Sequence, residues 1–146
     1  MSRSGYYDDW DFDWWSLIRW RGQVASAIRG KRGQAFLREL IEALDAMPEK
    51  RLIANNLEHA GNVCAIGSVG VKRGVDMSEI DPEDYDRVAA VFGIAHQLVQ
   101  EIEFMNDEGV YCLTDEERWQ KMRAWAVSLL RDEATPNTGA GGEEGR

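Results

Sequence analysis

The pattern of apolar and polar positions along this chain is mostly that of amphipathic helices. Apolar residues recur every three to four positions over several stretches, so that each stretch has one apolar face. The first helix is predicted from Asp13 to Ile28, with Gly30 as its stop. The second is predicted from Gln34 to Met47, where Pro48 ends it. The last is predicted from Leu113 to Arg131.

The apolar faces of these helices are assigned to the core. In the first helix the predicted buried face consists of Trp14, Leu17, Ile18, Val24 or Ala25, and Ile28. In the last helix it consists of Trp119, Met122, Trp125 or Ala126, Leu129 and Leu130. Thr114 and Glu117 have the spacing of a capping box, which supports the predicted start of the last helix.

The longest helical pattern lies between Asp81, the predicted N-cap, and Gly109, the predicted stop. Gly93 interrupts it and leaves two interpretations open. The segment is either a plain helix or a bent helix pair, or it is a helix-turn-helix DNA-binding unit in which glycine makes the turn. The residues that fit such a unit are Val88, Ala89, Phe92, Gly93, Ile94, Val99 and Ile102.

Residues 50–74 do not have a simple helical pattern. The short apolar runs 52–54 and 63–66 lie on either side of a segment that contains the turn signal Gly61–Asn62, which predicts a small β-hairpin. A short helix is predicted around 69–73. The fold is therefore predicted to be mainly α, a compact bundle of about five helices with one small β-hairpin.

The composition divides the chain into three parts. Residues 1–13 form an arm of alternating aromatic and acidic residues, 14–132 a single α-dominated domain, and 133–146 a glycine-rich tail that is predicted to be disordered. Two interpretations of the arm are open. It folds back onto the core, or it docks on a partner, because aromatic residues contribute strongly to binding.

The net charge of −9 and the sequence pI near 4.7 disfavour nucleic acid or an anionic membrane as a partner of the whole protein. The two cysteines, Cys64 and Cys112, are too sparse for a disulfide framework, and reduced thiols are expected. No stretch resembles a signal peptide or reaches membrane-spanning length. We therefore predict a cytoplasmic protein without a membrane partner.

Charge is distributed unevenly, because residues 14–38 contain no acid whereas residues 79–108 contain many. Lys31 and Arg32, between two glycines, form a predicted tight turn. Two interpretations are open for the basic residues of this stretch, which are Arg19, Arg21, Arg29, Lys31, Arg32 and Arg38. They bind nucleic-acid phosphates, or they pair with the acidic face of the same protein or of another copy in a homo-oligomer. A helix-turn-helix unit would direct His96, Gln97 and Gln100 to the groove of DNA. The surrounding carboxylates argue against that role, because phosphate contacts need lysine or arginine.

No catalytic constellation stands out in the sequence. His59, His96 and the two cysteines do not have the spacing of a zinc site or of a known nucleophile motif. The cluster at 106–108 has oxygen ligands for a hard cation, but a polar helix end explains it more simply. We predict no enzyme activity, no metal and no cofactor.

Two stretches of the sequence resemble phage proteins. The arrangement FGIA…EI…MNDEG…TxExRW…MRxW, from Phe92 to Trp125, resembles a group of small bacteriophage and prophage proteins. The run RWRG…IRGKRGQAFL, from Arg19 to Leu37, is also similar to phage proteins. No activity is assigned to that group, so the resemblance implies a phage origin, with the cytoplasm of the bacterial host as the location, but no mechanism.

The predicted function is stoichiometric binding to a host protein, for example as an inhibitor of a bacterial defence or nucleic-acid-handling component. Candidate partner-binding residues are Trp10, Trp14, Trp15, Asp84, Asp86, Glu101, Glu103, Asp107 and Glu108. The alternative is a DNA- or RNA-binding regulator of the helix-turn-helix type. Its candidate contacts are Arg29, Lys31, Arg32, His96, Gln97 and Gln100.

Overall fold

Six helices and one short hairpin make up residues 14–108 and 113–131, the part of the chain that the structure, a computed structural model, describes. The elements are α1 (Trp14–Arg29), α2 (Lys31–Ala46), β1 (Glu58–His59), β2 (Asn62–Val63), α3 (Ala65–Arg73), α4 (Tyr85–Phe92), α5 (His96–Asp107) and α6 (Asp115–Leu129). The predicted mainly α fold with one small hairpin is confirmed. The predicted arm, the predicted tail and Cys112 lie outside the described residues.

Helix α5 is the central helix of the bundle. It contacts α1, α3, α4 and α6, and Leu98, Val99 and Ile102 are fully buried on it. Its polar residues Gln100, Glu101, Glu103 and Asn106 are buried as well. A helix that is covered on several sides in this way fixes the positions of its neighbours, so the surfaces described below are defined relative to α5.

The α1–α2 junction is a sharp corner at Gly30. The prediction that Lys31 and Arg32 form a separate turn is wrong, because both residues belong to the first turn of α2. A Cβ atom at Gly33 would lie 1.9 Å from the carbonyl oxygen of Ala27, so only glycine allows this close approach of the helices. The corner is also tied to α6, because the buried Gln34 amide donates to the carbonyls of Ile28 and Leu129.

The 81–109 pattern forms two helices joined by a turn. Gly93 has φ of +73° and its N–H donates to the carbonyl of Ala89, which ends α4, and α5 begins at His96. The interpretation as one plain helix is therefore wrong, because the segment is a bent pair of helices, and the helix-turn-helix DNA-binding unit stays a prediction. The predicted N-cap, Asp81, instead accepts a hydrogen bond from the N–H of Glu83 in the preceding turn. Asp84 caps α4, and the predicted stop at Gly109 lies outside the described residues.

The hairpin is shorter than predicted and lies elsewhere. Residues 52–54 are not a strand, although the N–H of Ile53 donates to the carbonyl of Val63. Residues 65 and 66 begin α3, because the sulfur of Cys64 accepts a hydrogen bond from the N–H of Gly67 and caps that helix. The strands are joined by Ala60 and Gly61, both with positive φ, as in a type I′ turn.

Arg73, at the end of α3, joins three helices. Its guanidinium donates two hydrogen bonds, of 2.9 and 2.6 Å, to the carboxylate of Glu39 on α2. A third hydrogen bond, of 3.1 Å, reaches the carbonyl of Phe92 at the end of α4. The same guanidinium lies over the rings of Phe36 and Phe92, so its charge is both paired and packed.

The hairpin turn generates the first prediction. Ala60 has φ of +53°, a conformation that alanine adopts at a cost of about 1 kcal/mol and asparagine adopts more easily. We expect Ala60→Asn to raise the free energy of unfolding by about 0.5–1 kcal/mol, measured by urea denaturation. The matched control is Ala54→Asn, where φ is not positive and no gain is expected. A loss of stability in Ala60→Asn would contradict the assigned turn.

The Arg73 junction generates the second prediction. The pKa of Glu39 lies below its ordinary value of 4.5, chiefly because Arg73 donates hydrogen bonds to the carboxylate. A carboxylate with a lowered pKa in the folded state adds stability above its ordinary pKa and loses it as the pH falls through the folded pKa. We expect Glu39→Gln to lower the free energy of unfolding by about 1 kcal/mol near neutral pH.

The difference between Glu39→Gln and the natural protein should shrink as the pH falls below 4.5. Denaturation curves at several pH values measure it. Glu42→Gln is the control, because Glu42 is exposed and lies 3.8 Å from Lys72 in a loose ion pair. A difference for Glu39→Gln that stays constant across this pH range would show that the ion pair does not stabilise the fold.

Candidate interaction surface

The first two turns of α1 expose large apolar side chains to solvent. We call this patch the apolar α1 surface. Their exposed fractions are 69% for Trp14, 67% for Trp15, 41% for Leu17 and 44% for Ile18. Residues three and four positions apart lie on one side of a helix, so these side chains adjoin one another. Val71 and Val127, the other large apolar residues exposed in the described chain, lie singly on α3 and α6.

The prediction that Trp14, Leu17 and Ile18 are buried is therefore wrong. Helical periodicity shows which residues share a face, but it does not show whether that face packs on the core or remains exposed. Val24 is the buried residue of α1, and Ile28 is partly buried against the core. The second half of α1 thus packs on the protein, whereas the first half remains open to solvent.

The contacts between α1 and α5 are largely polar. The guanidinium of Arg21 donates two hydrogen bonds, of 2.9 and 3.2 Å, to the carboxylate of Glu101. The amide of Gln97 donates to the amide oxygen of Gln23 at 3.3 Å. The rings of Trp20 and His96 meet edge to face, with centroids 6.2 Å apart. These contacts hold α1 in place together with the buried Val24 and the partly buried Ala27 and Ile28.

The position of α1 decides what the helix-turn-helix pair can do in this conformation. His96 and Gln97 contact α1, and Gln100 is only 8% exposed. These are the residues that would face the groove of DNA. Since α1 packs on the same side of α5, duplex DNA cannot reach all three without displacement of α1.

The acidic candidates do not form one continuous face. Glu101 is buried in its ion pair with Arg21, and Glu103 has no exposed surface, because α5 is central in the bundle. Neither side chain is accessible to a partner in this conformation, so the predicted acidic contact surface is wrong at both. Asp107 and Glu108 are half-buried at the end of α5. Trp10 lies outside the described residues.

Exposed carboxylates are concentrated between the end of α3 and the first turn of α4. We call this stretch the acidic segment; it contains Asp76, Glu79, Asp81, Glu83, Asp84 and Asp86. Hydrogen bonds from Ser78 lower the pKa of Asp76. The Nδ1 atom of His96 lies 4.0 Å from the carboxylate of Asp86, and the His96 ring also contacts Trp20. His96 therefore links the acidic segment to the middle of α1.

The basic candidates lie at the corner between α1 and α2. Arg29, Lys31 and Arg32, which we call the basic corner, are all exposed. None of them makes an ion pair with a residue in the described ranges. Within residues 14–38, Arg21 pairs with a member of the predicted acidic face, Glu101.

The MNDEG and RW motifs have a structural role. The side-chain oxygen of Asn106 accepts from the N–H of Ala65, and its amide donates to the carbonyl of Ile53. Arg118 donates to the backbone carbonyls of Asn106 and Leu52. Because hydrogen bonds already occupy Asn106, the motif fits a polar helix end better than a cation site.

Few groups in the described chain suggest chemistry. A cleft of about 340 Å³ lies between the end of α2 and the hairpin turn, but its charged residues, Glu49 and Arg51, pair with each other at 2.5 Å. The ammonium of Lys121 is buried without a hydrogen-bond partner in the described chain, and burial lowers its pKa. Lys121 does not line that cleft. Within the described ranges, no cluster of three or more His, Cys, Asp or Glu is arranged to hold a metal ion.

Several further observations bear on partners. No helix within residues 14–108 and 113–131 is both long and apolar enough to cross a bilayer. Trp14 and Trp15 were predicted as contact residues, whereas Leu17 and Ile18, which the structure exposes beside them, were predicted only as core residues. Comparisons of the chain with protein-family models, curated proteins and solved structures found no match.

Proposed function

We propose that the chain is a non-enzymatic phage accessory protein that acts by stoichiometric binding to a host protein. The observation that supports this most is the apolar α1 surface, which exposes two adjacent tryptophans beside a leucine and an isoleucine. A contiguous apolar patch on a soluble protein commonly marks an interaction site. Tryptophan is enriched among the residues that dominate binding energy at interfaces.

Charge near this surface would select the partner. His96 lies between Asp86 of the acidic segment and Trp20 in the middle of α1, so negative charge lies near α1. A host protein that contacts both α1 and the acidic segment would combine an apolar region with a cationic one. The phage origin and the host as the source of the partner rest on the resemblance of the sequence motifs. Inhibition of a defence component would follow if binding blocked such a cationic region.

The third prediction tests the apolar α1 surface. We expect the double variant Trp14→Ala, Trp15→Ala to capture at least about tenfold less of a stoichiometric partner from a bacterial host lysate. The measurement is an affinity pull-down followed by mass spectrometry, carried out with and without nuclease for each protein. The control is Val71→Ala, Val127→Ala, which removes exposed apolar groups elsewhere and should capture the partner normally.

Circular dichroism would confirm that both double variants are folded. Capture of the same protein in the same amount by the Trp14→Ala, Trp15→Ala variant would refute the apolar α1 surface as the contact. Loss of every partner on nuclease treatment would refute direct protein binding and favour nucleic acid.

A second function is favoured by one observation, the geometry of α4 and α5. The turn at Gly93 joins an eight-residue helix to a longer one, as in DNA-binding helix-turn-helix units. Binding of DNA in this mode would require that α1 leave α5. The acidic segment opposes it, because it repels phosphate.

The fourth prediction tests this alternative. If the protein reads DNA through α5, His96→Ala, Gln97→Ala and Gln100→Ala together should abolish sequence-selective shifts of labelled DNA at low and moderate salt. Arg21→Ala should strengthen those shifts, because it weakens the attachment of α1 to α5. Selective binding that survives the triple substitution would refute the helix-turn-helix function.

A further inference from the structure

A stripe of exposed residues runs along the outward side of α1. Residues spaced alternately four and three positions apart lie on one side of a helix. The members of this stripe, which we call the outward stripe, are Trp15, Arg19, Gly22, Ser26 and Arg29, and all of them are exposed. The buried Val24 lies on the opposite side of the helix, so the outward stripe faces away from the core.

The outward stripe continues into the basic corner, and its cations have no carboxylate partner in the described chain. The side chains concerned, all exposed, are Arg19, Arg29, Lys31 and Arg32. The guanidinium of Arg19 donates a hydrogen bond to the hydroxyl of Ser16, and none of the four cations makes an ion pair within residues 14–108 and 113–131. These cations are therefore available to an anionic ligand.

The charge of this region is opposite in sign to that of the whole chain. The net charge is −9, but residues 14–38 contain six arginines and lysines and no acid. The acidic segment is linked to α1 through His96 and Trp20. Trp20 lies about 140° around the helix from Trp15, so that link is on a different side of α1 from the outward stripe. A polyanion would therefore meet positive charge along the stripe.

The exposed tryptophans indicate which polyanion fits. Nucleotide bases stack on aromatic side chains while cations beside them bind the phosphates, and these are the two parts of a site for single-stranded nucleic acid. In a duplex the base faces are covered by neighbouring bases, so Trp14 and Trp15 favour a single strand. An anionic membrane fits less well, because a helix that lies in a membrane interface has an apolar face along its length. Here Gly22, Ser26 and Arg29 make the second half of that face small and polar.

We propose that the outward stripe and the basic corner bind single-stranded DNA. Bases stack on Trp14 and Trp15, and the phosphates that follow bind Arg19 and the basic corner. Trp15 and Arg29 are about 21 Å apart along the helix axis, a distance that a few nucleotides span. The four aspartates of residues 8–13 precede α1 in the sequence, so the strand extends from the tryptophans toward the basic corner.

The aliphatic residues beside the tryptophans favour DNA over RNA. Leu17 and Ile18 are exposed in the same two turns of α1. Deoxyribose and the methyl group of thymine can pack on aliphatic side chains. A ribose would instead place its 2′-hydroxyl, which needs a hydrogen-bond partner, against them. We therefore expect a strand rich in thymine to be a good ligand.

This inference goes beyond the proposed function, although both use the apolar α1 surface. A single strand and a host protein would compete for the two tryptophans. The helix-turn-helix alternative is also different, because here α5 makes no contact with DNA and α1 stays in place. The test uses the purified full chain and synthetic oligonucleotides, so its outcome does not depend on whether a host partner exists.

The fifth prediction is tested by fluorescence anisotropy with a labelled oligothymidylate of about 15 nucleotides. We expect saturable binding with a dissociation constant of about 1–100 μM at physiological salt. The logarithm of the association constant should fall with the logarithm of the salt concentration, with a slope of about −2 to −3 for three or four phosphate contacts. Tryptophan fluorescence should decrease in the same titration, because bases that stack on an indole quench it.

Two double variants separate stacking from charge. Trp14→Ala, Trp15→Ala should weaken binding at least about tenfold and remove most of the quenching, while the salt slope stays the same. Arg29→Gln, Arg32→Gln should reduce the magnitude of the slope by about 1.4, because two phosphate contacts are lost. Quenching at saturation should be unchanged in this second variant.

The matched control is Lys72→Gln, Arg87→Gln, which removes the same charge from exposed positions on α3 and α4. It should leave the salt slope unchanged, and circular dichroism would confirm that all three variants are folded. An equal loss of slope in this control would refute the basic corner as the phosphate site.

Absence of binding at about 100 μM chain and low salt would refute the proposal. Undiminished binding by Trp14→Ala, Trp15→Ala would refute stacking on α1. Equal or tighter binding of an oligouridylate of the same length would refute DNA as the ligand, and equal or tighter binding of a duplex would refute the preference for a single strand.

Discussion

The buried side-chain amide of Asn106 connects parts of the molecule that are not joined by regular secondary structure. It accepts a hydrogen bond from the N–H of Ala65 at the start of α3 and donates one to the carbonyl of Ile53. The backbone carbonyl of Asn106 in turn accepts from Arg118 on α6. A buried polar group without partners would cost several kcal/mol, so these hydrogen bonds fix the end of α5 relative to α3, α6 and the irregular segment between. The central position of α5 depends on this arrangement.

The sequence predicted those elements whose signals are local. The Thr114 capping box, the periodicity of α2 and the glycine turn at Gly93 each act within a few residues, and the structure contains all three. The hairpin was misplaced, because a type I′ turn that uses Ala60 does not have the usual asparagine–glycine signal. Which charges are buried was also not predictable, because the ion pair of Arg21 and Glu101 joins residues far apart in sequence.

The apolar face of α1 shows the main limit of inference from pattern. Trp14, Leu17 and Ile18 have the same spacing as core residues. Only the three-dimensional structure shows that they lie outside the packed core. The acidic stretch shows the converse, because Glu101 and Glu103 are charged residues that the fold buries. Burial, rather than residue type, therefore decides which side chains are available to contact a partner.

The attachment of α1 has a consequence for cooperativity. Residues of α2 to α6 form one apolar core, whereas α1 adds a single fully buried side chain, Val24. Free energies of local opening differ across a protein, and segments with few buried apolar contacts open first. Helix α1 should therefore be a separate unit of opening, joined to the rest at the rigid Gly30–Gly33 corner. We expect α1 to open at a lower free energy than the core, so that its position could respond to binding while the core remains intact.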